Sequence, residues 1–193
     1  MDDAASPFLP QMLPLARPAC SNTFASSDWS LWFSDVSDRG GSSFSSSSFA
    51  VLMFSAPGLN IPYVAVARKG AIDVPLGARG QKVQLESIDF ADRFQIQTDD
   101  QRAAVMLIDQ GMMQWLLDLD QLSFQITGPL VTAIVKQRAT SSPTEIELLF
   151  QFHDGFGAHI PELTFTEFAA PNGLADATVQ ALRMIPNLLS AGT

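Results

Sequence analysis

The stretch Leu85–Leu119 reads LESIDFADRFQIQTDDQRAAVMLIDQGMMQWLLDL, and every local signal in it agrees on one architecture. In its first half Phe94, Ile96 and Thr98 alternate with two glutamines, which is the period of two of a half-buried strand. A strand with one apolar face must bury that face against another layer. Because the second half of the stretch predicts helices, we expect a sheet with helices packed on it.

Two helices are predicted after this strand. Asp99 and Asp100 can each accept hydrogen bonds from the free N–H groups of a helix start, and Gln101–Ile108 is rich in good helix formers. Asp109 is expected to cap the second helix in the same way. The apolar face of that helix, which Trp115 flanks, carries Met112, Met113, Leu116 and Leu117. This Met-rich face is expected to lie on the sheet.

Further strands are predicted on both sides of this stretch, from alternating or continuous apolar residues. They are Asp28–Val36, Phe49–Ser55, Tyr63–Ala67, Lys82–Leu85, Leu122–Thr127 and Leu130–Lys136. In the first of them Trp32 points to the face opposite Trp29, Leu31 and Phe33. The second and third are expected to pair as a long antiparallel hairpin, and the last two are joined by a Gly-Pro turn.

Another core helix is predicted over Pro143–Ile160, where a serine supplies the cap and a proline takes the first helical position. A break is expected near Gly155 and Gly157, because glycine weakens a helix interior. A weaker amphipathic helix is predicted over Leu174–Leu189, interrupted by a proline. The predicted fold class is therefore α+β, with a mainly antiparallel β-sheet and two or three packed helices.

The chain has 193 residues, of which 47% are hydrophobic, and this suits one domain with a sizeable core. We expect a Pro-rich N-terminal arm over residues 1–27 and a single α+β core domain over residues 28–170. Within the core, residues 37–48 are expected to form a flexible Gly/Ser loop. Residues 171–193 are expected to form a C-terminal helical tail.

Charge and composition exclude several functional classes. The net charge of −9 and the pI of about 4.4 argue against a nucleic-acid partner, since phosphate binding needs clustered Lys and Arg. The single cysteine, Cys20, permits neither an internal disulfide nor a Cys-rich zinc site. The apolar runs are shorter than the ~18 residues of a membrane span. Asp2 and Asp3 stand where a signal peptide carries basic residues.

Candidate catalytic residues are few. His153 and His159 are the only histidines, and their spacing places them roughly 240° apart on a helix, so they share no face. Asp154 beside His153 is a candidate acid–base pair, but a polar helix edge explains it more simply. Asp99 and Asp100 are a candidate cation site, for which helix capping is the better interpretation. We therefore predict no catalytic residue, no cofactor and no metal.

Candidate contact residues for a partner or a lipid are Met112, Met113, Trp115 and Trp32. Methionine-rich surfaces adapt to varied partners because the side chain is flexible and polarisable. The alternative interpretation is that the Met stripe is core, which is the more common role of such a stripe on a helix. Sequence alone leaves both interpretations open.

A longer pattern in this region resembles a chiefly actinobacterial family of membrane-anchored proteins, that of the mycobacterial trehalose monomycolate transport factors. The resemblance extends over about residues 63–163. Its pattern consists of Val83, Leu85, Glu86, Ser87, Asp89, Phe90, Arg93, Phe94, Ile96, Thr98, Asp99, Asp100, Arg102, Ala104, Met112, Met113, Trp115, Leu116 and Leu117. The resemblance implies a domain tethered to the inner membrane by a helix upstream of this sequence, on the cytoplasmic side. It transfers no catalytic residue.

The implied function is that of a non-enzymatic accessory factor in the transport of a cell-envelope glycolipid, trehalose monomycolate. Its implied partner is an inner-membrane exporter of mycolic lipids, with direct lipid contact as a further expectation. The alternative is a small-molecule or lipid-binding domain, which predicts its own apolar pocket lined by Met and Phe. A third hypothesis, an enzyme, requires His153 or His159 in a pocket beside a carboxylate or a serine.

Overall fold

One antiparallel sheet of eight strands forms the centre of the fold. The computed structural model describes residues 19–26, 28–38, 45–70, 80–136 and 143–171. The strands are β1 Ala19–Ala25, β2 Trp29–Asp38, β3 Ser45–Ser55, β4 Ile61–Arg68, β5 Gln81–Val83, β6 Phe94–Thr98, β7 Leu122–Gly128 and β8 Leu130–Lys136. The helices are α1 Ile88–Arg93, α2 Gln101–Leu107, α3 Gln110–Leu119, α4 Pro143–His159 and α5 Glu162–Glu167. The strand order is β1-β2-β3-β8-β7-β4-β6-β5, which confirms the α+β class.

The strand register places one row of apolar side chains across the sheet. Partner by partner, the row runs through Leu31, Leu52, Ala133, Phe124, Val66 and Ile96. All six residues are buried. We call the face that carries them the helical face, because α1–α4 bury their apolar side chains in the same core. The opposite face, which carries Trp32, Val51 and Ile134, is called the second face.

Side-chain caps decide where the first three helices begin. The Asp100 carboxylate accepts hydrogen bonds from the backbone N–H groups of Arg102 (2.8 Å) and Ala103 (3.3 Å), and Asp109 accepts one from Met112 (2.8 Å). These contacts confirm both predicted caps. The sequence interpretation missed α1, which has only six residues. Its N-cap is Ser87, which the motif contains but which was not recognised as a helix start.

The predicted hairpin between β3 and β4 is wrong, because β8 and β7 lie between these two strands. Three strand spacings separate β3 from β4, a distance of about 14 Å that the connection at residues 56–60 can bridge. The backbone N–H of Ala56 donates to the carbonyl of Pro129 at the turn of the inserted hairpin (2.7 Å). Strand β3 pairs with β2 at one edge and with β8 at the other, and residues 49–54 are buried on both of its faces, as in a central strand.

The hairpin of β7 and β8 is confirmed. Thr127 pairs with Leu130 on either side of the two-residue turn, and Gly128 has a positive φ of 60°. That conformation belongs to the first central position of a type II′ turn, where glycine has no steric cost.

Strand formation extends into two segments that the sequence assigned to an arm and a loop. Ala19–Ala25, inside the expected arm, forms the edge strand β1. Strand β3 begins at Ser45, inside the expected Gly/Ser loop, and Ser45 pairs with Asp38 of β2. This pairing is possible because the hydrogen bonds between strands join backbone groups and need no particular side chain. Residues 1–18, residues 39–44 of the expected loop and the predicted helix Leu174–Leu189 lie outside the described residues.

Helix α4 is continuous from Pro143 to His159, so the break expected at its glycines is wrong. The short helix α5, which was not predicted, follows the proline at 161. Thr164 in α5 donates a hydrogen bond from its hydroxyl to the carbonyl of Met106 in α2 (2.9 Å). Among the helices that the structure describes, none has the length and apolar character needed to cross a membrane.

Substitution of Asp100 tests whether its side-chain cap stabilises α2. Asp100→Ala removes the acceptor of two helix-start N–H groups, and we expect it to lower the free energy of unfolding by about 1 kcal/mol. Asp100→Asn keeps a side-chain oxygen and should lose much less. Urea unfolding measures both variants, and equal losses would show that the cap contact is not the cause.

Candidate functional site

Two of the four predicted contact residues are buried. Met112 lies in the core between α3 and the sheet, with no exposed surface. Trp32 is 1% exposed and lies on the second face, beside Val51 of the neighbouring strand. In this structure neither side chain is available to an external partner.

Trp115 is half-buried and joins α3 to α4. Its indole is nearly parallel to the rings of Phe152 (centroids 5.2 Å apart) and His159 (4.2 Å). These two residues are two helical turns apart on α4, so the indole fills the space between them. Gly155 lies beneath the indole, and a Cβ there would stand 2.8 Å from Trp115 Cζ2. The glycine therefore permits the close approach of the indole to α4.

Met113 is also half-buried and packs at the border of the core. Trp115 likewise lies at the border of the core, so both side chains retain some exposed surface. Their main contacts are nevertheless internal, as the stacking of Trp115 shows.

The histidines occupy separate places, as their spacing predicted. His153 Nδ1 lies 2.8 Å from Asp154 Oδ1, and its ring meets Phe54 edge-on (4.9 Å). Asp154 is 77% exposed, as expected of the polar edge of a helix. His159 Nδ1 lies 2.9 Å from the carbonyl of Gly155, in addition to its stacking on Trp115. The contacts of both rings are those of packing residues.

Two arginines converge on one aspartate at the end of α3. Arg68 Nη2 donates to Asp120 Oδ1 (3.0 Å), and Arg93 Nη1 donates to the same oxygen (3.3 Å). The guanidinium of Arg68 also donates through Nε to the Asp120 carbonyl. Asp120 has a φ of 49°, a conformation that Asp tolerates at a helix C-terminus. This cluster joins β4, α1 and α3.

A groove between α2 and α5 carries two exposed apolar side chains. Val105 is 49% and Leu163 is 64% exposed, and both line this groove of about 640 Å³. The groove is also lined by Gln101, Arg102, Met106 and Glu167. Arg102 Nη2 and Glu167 Oε1 form an ion pair (2.7 Å) at its rim. We call it the α2–α5 groove.

The α2–α5 groove combines two exposed aliphatic side chains with a charged rim. Its lining holds no histidine, cysteine, serine or threonine. Sequence reasoning missed it because one wall is α5, which was not predicted. The available signal was the run Glu162–Glu167 after a proline, in which Leu163 and Phe165 are the apolar residues.

Within the described residues, no group of three His, Cys, Asp or Glu side chains is placed to hold a metal ion. The carboxylate of Asp100, one of the two residues weighed as a cation site, accepts the helix-start hydrogen bonds described above.

Comparison with known proteins identified no relative. No family model, no curated protein and no solved structure matches the chain.

Gly155 and Gly157 form a matched pair for testing the indole contact. Gly155→Ala places a methyl group against Trp115, and we expect a loss of about 1–3 kcal/mol in unfolding free energy. Gly157→Ala meets nothing within 4 Å and should stabilise the helix by about 0.5–1 kcal/mol. Thermal unfolding and the near-UV circular dichroism of the tryptophans measure both effects. A stabilising Gly155→Ala would contradict the packing described here.

Proposed function

We propose that this chain is a non-enzymatic accessory factor of trehalose monomycolate transport, similar to the mycobacterial trehalose monomycolate transport factor A. It acts by binding an inner-membrane exporter of mycolic lipids from the cytoplasmic side, tethered by a membrane helix upstream of this sequence. The observation that carries the proposal is the structural role of the motif over residues 83–117.

The motif residues build a fold rather than a reaction centre. Ser87 and Asp100 cap helices, and Phe90 stacks on Phe94 with ring centroids 4.8 Å apart. Arg93 pairs with Asp120, and the other end of the motif fills the core and contacts α4. The motif residues therefore connect α1, β6, α2 and α3 through caps, ring stacking and ion pairs. This structural role of the motif supports a binding function more than a catalytic one.

The α2–α5 groove is the proposed contact surface for the exporter. Helix α2 belongs to the motif, so a family that keeps the motif also keeps one wall of the groove. Val105 and Leu163 would bury their exposed surface against apolar side chains of the partner, while the ion pair of Arg102 and Glu167 would remain at the rim. Aliphatic side chains that become buried at the centre of a contact contribute to its binding energy by removing apolar surface from water.

The alternative function, a lipid-binding domain with its own pocket, needs space between the helices and the sheet. Three phenylalanines fill the centre of that layer. The ring centroids of Phe124, Phe152 and Phe156 lie 5.1–5.7 Å apart, which is direct contact. Together with the buried Met112, this packing favours the accessory-factor proposal over an internal lipid site.

The groove is tested by charge substitution in the full-length protein. Val105→Asp and Leu163→Asp place a carboxylate where the partner is expected to bury apolar surface, so each should weaken exporter binding about tenfold or more. Ile88→Asp is the control, because Ile88 is 76% exposed but does not line the groove. Binding is measured by co-purification of the tagged exporter from mycobacterial membranes. Undiminished recovery with both groove variants would refute the assigned surface.

The functional proposal has its own test. Deletion of the gene should reduce export of trehalose monomycolate, and the wild-type protein should restore it. Wild-type export after deletion, with no exporter recovered by the wild-type protein, would refute the function itself rather than the surface.

A further inference from the structure

Helix α5, one wall of the α2–α5 groove, has a single fully buried side chain, and that side chain is polar. Thr164 has no exposed surface, whereas its neighbour Leu163 is largely exposed. A helix of six residues is too short to be stable alone, so its position depends on its contacts with the rest of the domain. A helix held by the hydrophobic effect alone would bury an apolar residue at this point. The threonine hydroxyl therefore has a specific role.

The role of the hydroxyl is to satisfy a carbonyl group at the end of α2. Thr164 Oγ1 donates a hydrogen bond to the carbonyl oxygen of Met106 (2.9 Å). Met106 lies in the last turn of α2, where carbonyl groups have no partner within the helix. A carbonyl that is shielded from water and left without a hydrogen bond is costly. The contact therefore stabilises the end of α2 and at the same time fixes α5 against it.

The two ends of α5 are held unequally. At the C-terminal end, the carbonyl of Phe168 accepts a hydrogen bond from the N–H of Asn60 (2.8 Å) on the connection between β3 and β4. At the N-terminal end, Pro161 occupies the N-cap position and no side chain caps the helix. Thr164 lies between these ends. Without its hydrogen bond, the uncapped end of α5 could move away from α2 while the other end stays anchored.

The ion pair at the rim is the weaker of the two links between α5 and α2. The side chains of Arg102 and Glu167 are 65% and 35% exposed, so water screens their interaction. An exposed ion pair of this kind contributes little to stability. The hydrogen bond of the buried Thr164 is therefore the contact that decides the position of α5.

We propose that Thr164 is the positioning residue of the α2–α5 groove, and that its hydrogen bond to Met106 fixes the width of the groove before a partner binds. Val105 directly precedes Met106 in the chain, and Leu163 directly precedes Thr164. The hydrogen bond thus joins the immediate neighbours of the two exposed aliphatic side chains. A partner that meets a groove of fixed width does not have to order α5 on binding, and this favours affinity.

This inference rests on the proposed function, because it concerns the same surface. Thr164 is buried and touches no partner, so it acts on binding through the position of Leu163.

The width of the groove is measured first, without any partner. In a Cys20→Ser background, spin labels at Gln101→Cys and Leu163→Cys report the distance between the two walls. Thr164→Val keeps the shape of the side chain but removes the hydroxyl, so it should broaden the distribution of this distance. Thr164→Ser retains the hydroxyl and should keep the narrow distribution.

Thr166→Val is the matched control on the same helix. Thr166 is exposed, and its hydroxyl donates to the carbonyl of Glu162 within α5 (3.4 Å), so its loss should leave the distance unchanged. The near-UV circular dichroism of Thr164→Val should remain that of the wild type, because the packing of Trp115 does not involve α5. An unchanged distance in Thr164→Val would overturn the proposal. A Thr164→Val protein that does not fold would also overturn it, since Thr164 would then support the whole domain.

The effect on binding is measured separately, by co-purification of the tagged exporter with the full-length protein. Thr164→Val should weaken binding about tenfold, while Thr164→Ser and Thr166→Val should bind as the wild type does. Undiminished binding by Thr164→Val would overturn the positioning role and leave the exporter hypothesis intact. If the wild-type protein itself recovers no exporter, the proposed function fails, whereas the distance measurement still decides whether Thr164 fixes the groove.

Discussion

Insertion of the β7–β8 hairpin between β3 and β4 is the constraint on which the rest of the fold depends. It joins two sets of three strands, β1-β2-β3 and β4-β6-β5, into one sheet and makes the apolar row across the helical face continuous. Helices α3 and α4 pack over this centre, where Phe124 of β7 meets Phe152 and Phe156 of α4. Without the inserted hairpin these aromatic side chains would have no common surface to bury.

The contact of α3 with α4 depends on one small residue, Gly155, which allows a tryptophan to stack between two aromatic rings. Trp115 occupies the gap between Phe152 and His159 because Gly155 leaves room for the indole. Trp115 and Gly155 lie 40 residues apart in sequence, so neither predicts the other locally. The same contact explains why a glycine in the interior of α4 does not end the helix: the packing of the indole offsets its conformational cost.

The surface of the protein divides into two parts with different roles. On the helical side Val105 and Leu163 are exposed in the α2–α5 groove, while Phe90 and Phe94 of the motif are buried. On the second face the apolar side chains of β2, β3 and β8 are already buried. Trp32 and Trp115, which the sequence offered as contact residues, thus serve packing, and Val105 and Leu163 are the exposed apolar residues of the groove.

The sequence by itself determined the elements whose signals are local. The alternation in β6, the Asp100 and Asp109 caps and the Gly-Pro turn of the last hairpin were all predicted, because each depends on residues within a few positions. It missed α1 and α5, whose six-residue lengths leave little periodicity to detect. Strand order, the groove and the burial of Trp32 were decided only by the tertiary structure. These features depend on which distant segments become neighbours in the sheet. That choice follows from the burial of the central strands on both faces, and no local sequence pattern encodes it.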